Sequence, residues 1–355
     1  MKQFEFDQEK ISLEISEINR KAAEAIERYP EHQDIDVAPT ERTEEYSEDR
    51  FKLYRYKPLV TNPTHPVLLV YALVNKPYIL DLEEERSFIR SLLKQGLDVY
   101  LIEWEPPQRK DRFTTMDDHV CGYINRSVRH LVRKLNVDKI NLMGVCQGGV
   151  FSICYAALYP ELVNTLTCMI TPVDFDKENS RLSHLISNID IDAVVDSYGN
   201  IPGDLLNWSF VGVNPVHFIQ RKYLGYMDGI DDESKSDFFL RLEKWSYDSP
   251  DQSGETFRKF CKDLYQKNKL INKAFYLQEQ LVDLARITMP VLNIYAKGDL
   301  IVPKESSQAL GENIKTDNYK EIELKSGHIG FFVEPSEQQI IPAKISRWLD
   351  ENSNS

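Results

Sequence analysis

Along the first 45 residues, Ile11, Ile15, Ile18, Ala22 and Ala25 recur at spacings of three and four among Glu, Lys and Arg, which is the period of an amphipathic helix. Such a stripe docks either on its own chain or on a partner. Residues 34–48 then turn polar and acidic and read as a linker. From Phe51 onward, short β-rich runs alternate with helical ones. Strands are predicted at 52–56, 67–71, 98–104, 140–143, 165–170, 291–295 and 319–324, and helices at 82–95, 116–135, 149–158 and 338–349. This alternation implies an α/β chain with a mainly parallel, doubly wound sheet covered on both faces. The rhythm breaks at 173–289, where no strand is obvious. An insertion between core strands reads as a mostly helical cap over the sheet's carboxyl edge, where open α/β sheets bind ligands. The alternative is an ordinary helical domain away from that edge. The organisation expected is therefore an N-terminal helical segment (1–45), a core (46–172 and 290–355) and a cap (173–289).

Composition narrows the class. The chain has 355 residues, 42% of them apolar, enough for a substantial core. Its longest clean apolar run is only about 67–74, well short of the roughly 20 residues a membrane-spanning helix needs. The charged start MKQFEFDQEK lacks the apolar segment of a secretion signal, so a cytoplasmic protein is expected. Five cysteines without a CxxC pair argue for reduced thiols, against both a disulfide framework and a zinc ribbon. With 43 Lys and Arg against 56 Asp and Glu, the net charge of −13 disfavours nucleic acid, so an anionic ligand would need a local cationic patch.

Chemistry concentrates at three strand ends. Gly144-Val145-Cys146-Gln147-Gly148-Gly149 lies between a predicted strand and a predicted helix, the setting of the G-x-S-x-G nucleophile elbow, with cysteine in place of serine. A thiolate there is stabilised by the helix N-terminus, and further by a neighbouring imidazole. The other cysteines, Cys121, Cys154, Cys168 and Cys261, sit in apolar or helical surroundings and read as packing thiols. Asp299 follows the strand at 291–295, and His328, flanked by Gly327 and Gly330, follows the last strand. Nucleophile, acid and histidine in that order are the triad of the α/β-hydrolase fold. Asp174 is the alternative acid. His32, His65, His119, His130, His184 and His217 lack a comparable setting, and none forms a metal-binding spacing, so no metal is expected. An oxyanion needs two preorganised donors. Gln147 supplies one backbone N–H, and the loop after the strand at 67–71 supplies the other, from Val74 or else from Leu73 or Asn75. The residues thus read as an acyltransferase or hydrolase, with the acyl group open.

Several further runs are specific: LYRY (53–56), VYALVNKPYILDL (70–82), GVCQGG (144–149), TPVDF (171–175), GNIPG (199–203), LNW (206–208), DSPDQSGETFR (248–258) and GHIG (327–330). From about Tyr46 onward, the chain resembles the poly(3-hydroxyalkanoate) synthases, specifically the short catalytic subunit of the class III, two-subunit enzymes. Gln147 and the DSPDQ run resemble class III, since class IV enzymes usually carry methionine after the nucleophile. Cys121 departs from the asparagine the family often has in the run at 117–123.

The resemblance implies that Cys146 attacks the thioester of (R)-3-hydroxybutyryl-CoA or a similar short 3-hydroxyacyl-CoA, and that His328 deprotonates the thiol. The aspartate matching Asp299 would chiefly activate, through the histidine, the hydroxyl that attacks the next thioester. It further implies a growing polyester deposited as cytoplasmic granules, no cofactor beyond the CoA thioester substrate, a second PhaE-type subunit as partner, and homodimers. Competing readings are a cysteine thioesterase or polyester depolymerase on the same fold, and an inactive granule-coat protein.

Overall fold

Strands that are apolar at consecutive positions must be covered from both sides, and they occupy the middle of an eight-stranded sheet. The computed structural model describes residues 35–177, 180–216 and 222–352, together with Leu13, Ser16, Glu17, Asn19, Arg20, Lys21, Ala23 and Glu24. The strands are β1 (Arg42–Glu48), β2 (Phe51–Tyr56), β3 (Thr64–Val70), β4 (Leu97–Trp104), β5 (Ile140–Val145), β6 (Val163–Met169), β7 (Val291–Ala296) and β8 (Tyr319–Leu324), in the spatial order β1-β2-β4-β3-β5-β6-β7-β8. Pairing is antiparallel from β1 through β2 to β4 and parallel from β4 to β8. β5 and β7 are buried at every position, whereas the edge strands β1 and β8 expose charged residues that discourage edge-to-edge pairing.

Alternation along β3 builds two cores. Leu68 and Val70 face one layer, with Val128 and Leu131 of α2 (Asn125–Leu135) and Val150 and Phe151 of α3 (Gln147–Leu158). Val67 and Leu69 face the other, with Phe88 and Leu92 of α1 (Phe88–Lys94) and Trp348 of the C-terminal helix Pro335–Asn352. The sheet is thus covered on both faces, as the α/β-hydrolase expectation requires.

Three local expectations need correction. The stretch read as linker contains β1, so the boundary expected at residue 45 falls inside a strand. Its sequence, RTEEYSE, hides the strand because an edge position leaves its charges in water, while Tyr46 packs edge-on against Phe51 at 5.7 Å. Within 82–95 only α1 is helical. Before it, Asp81–Glu83 and Arg86–Ser87 form a short antiparallel ladder. The fully buried Asp81 carboxylate holds that ladder by accepting from Thr40 Oγ1 (2.7 Å), the Thr40 amide (3.0 Å) and Ser87 Oγ (2.5 Å). Ser87 then caps α1 by accepting from the Arg90 amide at 2.9 Å. Between 116 and 135 the helix includes a wide π segment, Asp118–Ile124, before α2.

The stripe of Ile11, Ile15, Ile18, Ala22 and Ala25 lies outside the described residues, but their described neighbour Arg20 reaches Asp231 at 3.2 Å. Between β6 and β7 run α4 (Arg181–Ser187), α5 (Ile191–Tyr198), α6 (Gly203–Val213), α7 (Lys222–Asp228), α8 (Glu233–Tyr247) and α9 (Gly254–Lys259). A two-residue ladder, Tyr276–Leu277 with Gln280–Leu281, also lies there. Among the described residues no helix is long and apolar enough to cross a membrane.

Candidate active site

The order of strands reverses around β3, which is joined in sequence to β4 on one side and lies beside β5 on the other. Loops leaving β3 and β5 therefore diverge over a crevice at their carboxyl ends, where ligands of such sheets bind. Cys146 stands there, between β5 and α3, with φ +52° and ψ −120°. A side chain in this rare conformation must be held by its surroundings. The Cys146 amide donates to the Met169 carbonyl at 2.9 Å, and the Cys146 carbonyl accepts from the Gly149 amide at 2.9 Å. Gly148 permits the turn to close on the sheet, because a Cβ at that position would lie 2.3 Å from the Val70 carbonyl oxygen. At Gly144 a Cβ would lie 2.5 Å from Gly149 Cα. The elbow consequently presses the N-terminus of α3 against the end of β3.

Asp299 and His328 reach the same place from β7 and β8. The Asp299 side chain is fully buried. Its Oδ1 accepts from the amides of Ile301 (2.8 Å) and Val302 (2.9 Å), and its Oδ2 lies 2.7 Å from His328 Nδ1. On its other side the imidazole faces the Cys146 sulfur. Burial alone would lower the His328 pKa, yet Asp299 and the Cys146 sulfur on its two sides raise it to about 10. Thiol, imidazole and carboxylate form one continuous chain of contacts.

The competing groups are engaged elsewhere. Asp174 Oδ1 accepts from Asn268 Nδ2 at 2.8 Å, and its Oδ2 pairs with Lys177 at 2.7 Å. Cys121, Cys154, Cys168 and Cys261 are buried, whereas Cys146 is half-buried. Burial pushes the thiol of Cys121 up to about 11 and those of Cys154, Cys168 and Cys261 higher still. His119 is buried between Trp104 and Phe151, its pKa lowered to about 4 by that burial. His65 contacts Asp350 at 2.7 Å, and His32 and His217 lie outside the described residues.

Val74 lies in the loop after β3, half-buried against the cluster of Ile191, Val195, Ile201 and Leu206 in the inserted segment. The neighbouring Leu73 amide is already occupied, donating to Gln147 Oε1 at 3.0 Å. Gln147 thus holds the β3 loop through its side chain, a contact that escaped the sequence reading. Gln252 was missed too. Its Nε2 donates to the same Gln147 oxygen at 3.3 Å, although it sits in the middle of the DSPDQSGETFR run already noted. Tyr71 and Tyr265 are two further omissions. Burial, with a further contribution from Cys146, holds both phenols well above their ordinary pKa. A buried tyrosine far away in sequence carries no signal of such proximity.

Residues 65–335 match the family model for the alpha/beta hydrolase fold. The chain is similar to the poly(3-hydroxyalkanoate) polymerase subunit PhaC of Allochromatium vinosum, with 45% identity over 97% of this chain and 98% of that protein. Similarity to the subunit of the same name from Thiocystis violacea is 43% over 99% and 100% of the two chains. For the one from Synechocystis it is 46% over 90% and 86%. Among solved structures, a putative lipase from Sulfolobus solfataricus covers 87% of this chain and 93% of its own, with TM-score 0.57 and 14% identity, which is a likeness of fold alone.

Proposed function

The chain belongs to the PhaC family of poly(3-hydroxyalkanoate) polymerase subunits, acyltransferases on the α/β-hydrolase fold, and from that premise we propose that it polymerises short (R)-3-hydroxyacyl-CoA, mainly 3-hydroxybutyryl-CoA, through an acyl-enzyme on Cys146. The observation that carries this reading is the contact chain Asp299–His328–Cys146 at three strand ends.

In acylation, the Cys146 proton passes to His328 and the sulfur attacks the thioester carbonyl. Negative charge develops on the carbonyl oxygen, toward the backbone N–H groups of Gln147 and Val74. The bond to the CoA sulfur then breaks, and the departing thiolate takes the proton held on His328. Exchange of one thioester for another is nearly balanced, so the acyl group stays reactive toward alcohols. In elongation, His328, oriented by Asp299, takes the proton of a 3-hydroxyl whose oxygen attacks the next thioester carbonyl; the ester forms as the C–S bond breaks, and the departing thiolate takes the proton held on His328. The helices inserted between β6 and β7 exclude water and so favour growth over hydrolysis. No cofactor or metal takes part. The working assembly is a homodimer joined by a PhaE-type subunit, located in the cytoplasm at the surface of polyester granules.

Incubation with 3-hydroxybutyryl-CoA, with and without a PhaE-type subunit, tests the reaction. Insoluble polyester plus CoA is expected, and free hydroxy acid as the sole product would favour a thioesterase or depolymerase instead. CoA release equal in wild type and Cys146→Ala would reduce the chain to a granule-coat protein.

A further inference from the structure

The inserted segment grips the loop that follows β3. Asn75 Nδ2 donates to Ser249 Oγ (2.7 Å) and to the Trp245 carbonyl (3.2 Å), and Trp245 Nε1 donates to the Lys76 carbonyl (2.8 Å). Lys76 Nζ pairs with Asp248 at 2.9 Å, and the Tyr78 hydroxyl donates to Asp248 at 3.3 Å. At the other end, Gln147 Oε1 accepts from both the Leu73 amide and Gln252 Nε2. Leu73 is the residue immediately before Val74. A single side-chain oxygen therefore joins the elbow, the loop and the insertion.

Gln252 is itself fixed. It is 2% exposed, and its backbone exchanges two hydrogen bonds with Ile201, at 2.8 and 2.9 Å. Asp251 Oδ1 accepts from the Gly203 amide at 3.1 Å, and a Cβ on Gly203 would lie 2.0 Å from the Ser249 carbonyl oxygen. The GNIPG and DSPDQ runs are thus interlocked.

We infer that Gln252 is a positioning residue for acyl transfer: by holding Gln147 Oε1 against the Leu73 amide, it keeps the following Val74 N–H aimed at the developing oxyanion. This rests on the reading of Gln147 and Val74 as the donors. It also makes the position of the insertion a control on the rate of acylation, because any shift of residues 245–252 loosens the loop. A misplaced donor costs rate rather than affinity.

The test uses the full-length chain carrying Gln252→Leu, which removes the amide donor at similar volume. Single-turnover CoA release from 3-hydroxybutyryl-CoA should fall about 10–100-fold in kcat while KM moves less than about 3-fold. Alkylation of Cys146 by iodoacetamide, which needs the thiol and His328 but no oxyanion donor, should keep its wild-type rate and pH profile. If Gln252→Leu fails to fold, Ser249→Ala releases the Asn75 arm of the same grip and should show the same split. Wild-type kcat in both variants overturns the inference, as does a parallel fall in alkylation, which would place the effect on the thiol and imidazole. CoA release that survives Cys146→Ala would instead overturn the acyl-enzyme reading.

Discussion

Cys146, the proposed nucleophile, has an unfavourable backbone, φ +52° and ψ −120°, which only glycine adopts without strain. Replacing it by Ala removes the thiol and keeps the strain, while Gly removes both. Cys146→Gly should therefore be more stable than Cys146→Ala by about 1–3 kcal/mol, with both inactive. Parallel denaturant titrations measure that difference, and equal midpoints would mean that the turn is relaxed. His328 offers a pH signature. Its folded pKa of about 10 lies above the unfolded value of about 6.5, so the protonated ring stabilises the fold fully below the lower value and progressively less as pH rises to the higher one. The melting-temperature advantage of wild type over His328→Gln should shrink steadily across that window, and a constant advantage would contradict it. Asp299→Asn keeps a partner for the ring but loses the charge. It should spare single-turnover acylation more than polymer growth, and equal losses in the two assays would count against the division of labour.

These residues were readable because cysteine, aspartate and histidine each followed a predicted strand in the right order. The side chain of Gln147 was not. Its partners, the Leu73 amide and Gln252, are set by three-dimensional approach and leave no periodic trace.

At the level of elements, the turn into α3 is sterically dictated. Gly148→Ala would drive a methyl into the Val70 carbonyl, which the paired strand cannot move aside. A loss of about 2–3 kcal/mol is expected, together with reduced acylation, because the elbow and the β3 loop would be pushed apart. Calorimetry on the variant checks the first part, and a wild-type melting temperature would refute it. The buried central strands were legible to within a few residues, since an apolar run covered on both sides needs no context to be recognised. β1 was illegible for the opposite reason, as its charges match a linker until β2 is placed beside it. The ladder ahead of α1 depends on Asp81, a buried carboxylate whose partner Thr40 is 41 residues away. Helical periodicity across 82–95 could not reveal that contact.

For the whole molecule, the net charge of −13 opposes the approach of the proposed polyanionic CoA substrate. Repulsion at long range is screened before contacts inside the site are, so kcat/KM should rise roughly 2–5-fold as salt increases from about 20 to 200 mM. A fall over the same range would reveal a local basic patch strong enough to govern the encounter. The sheet order has a consequence for the making of the protein. The thiol follows the fifth strand, the carboxylate the seventh and the imidazole the eighth, while the loop facing them leaves the third. On the proposed mechanism, a chain still emerging from the ribosome carries the Cys146 thiol for some 180 residues of synthesis without the imidazole that would arm it. Polyester growth by that mechanism would thereby be withheld from unfinished copies, competence arriving only with β8.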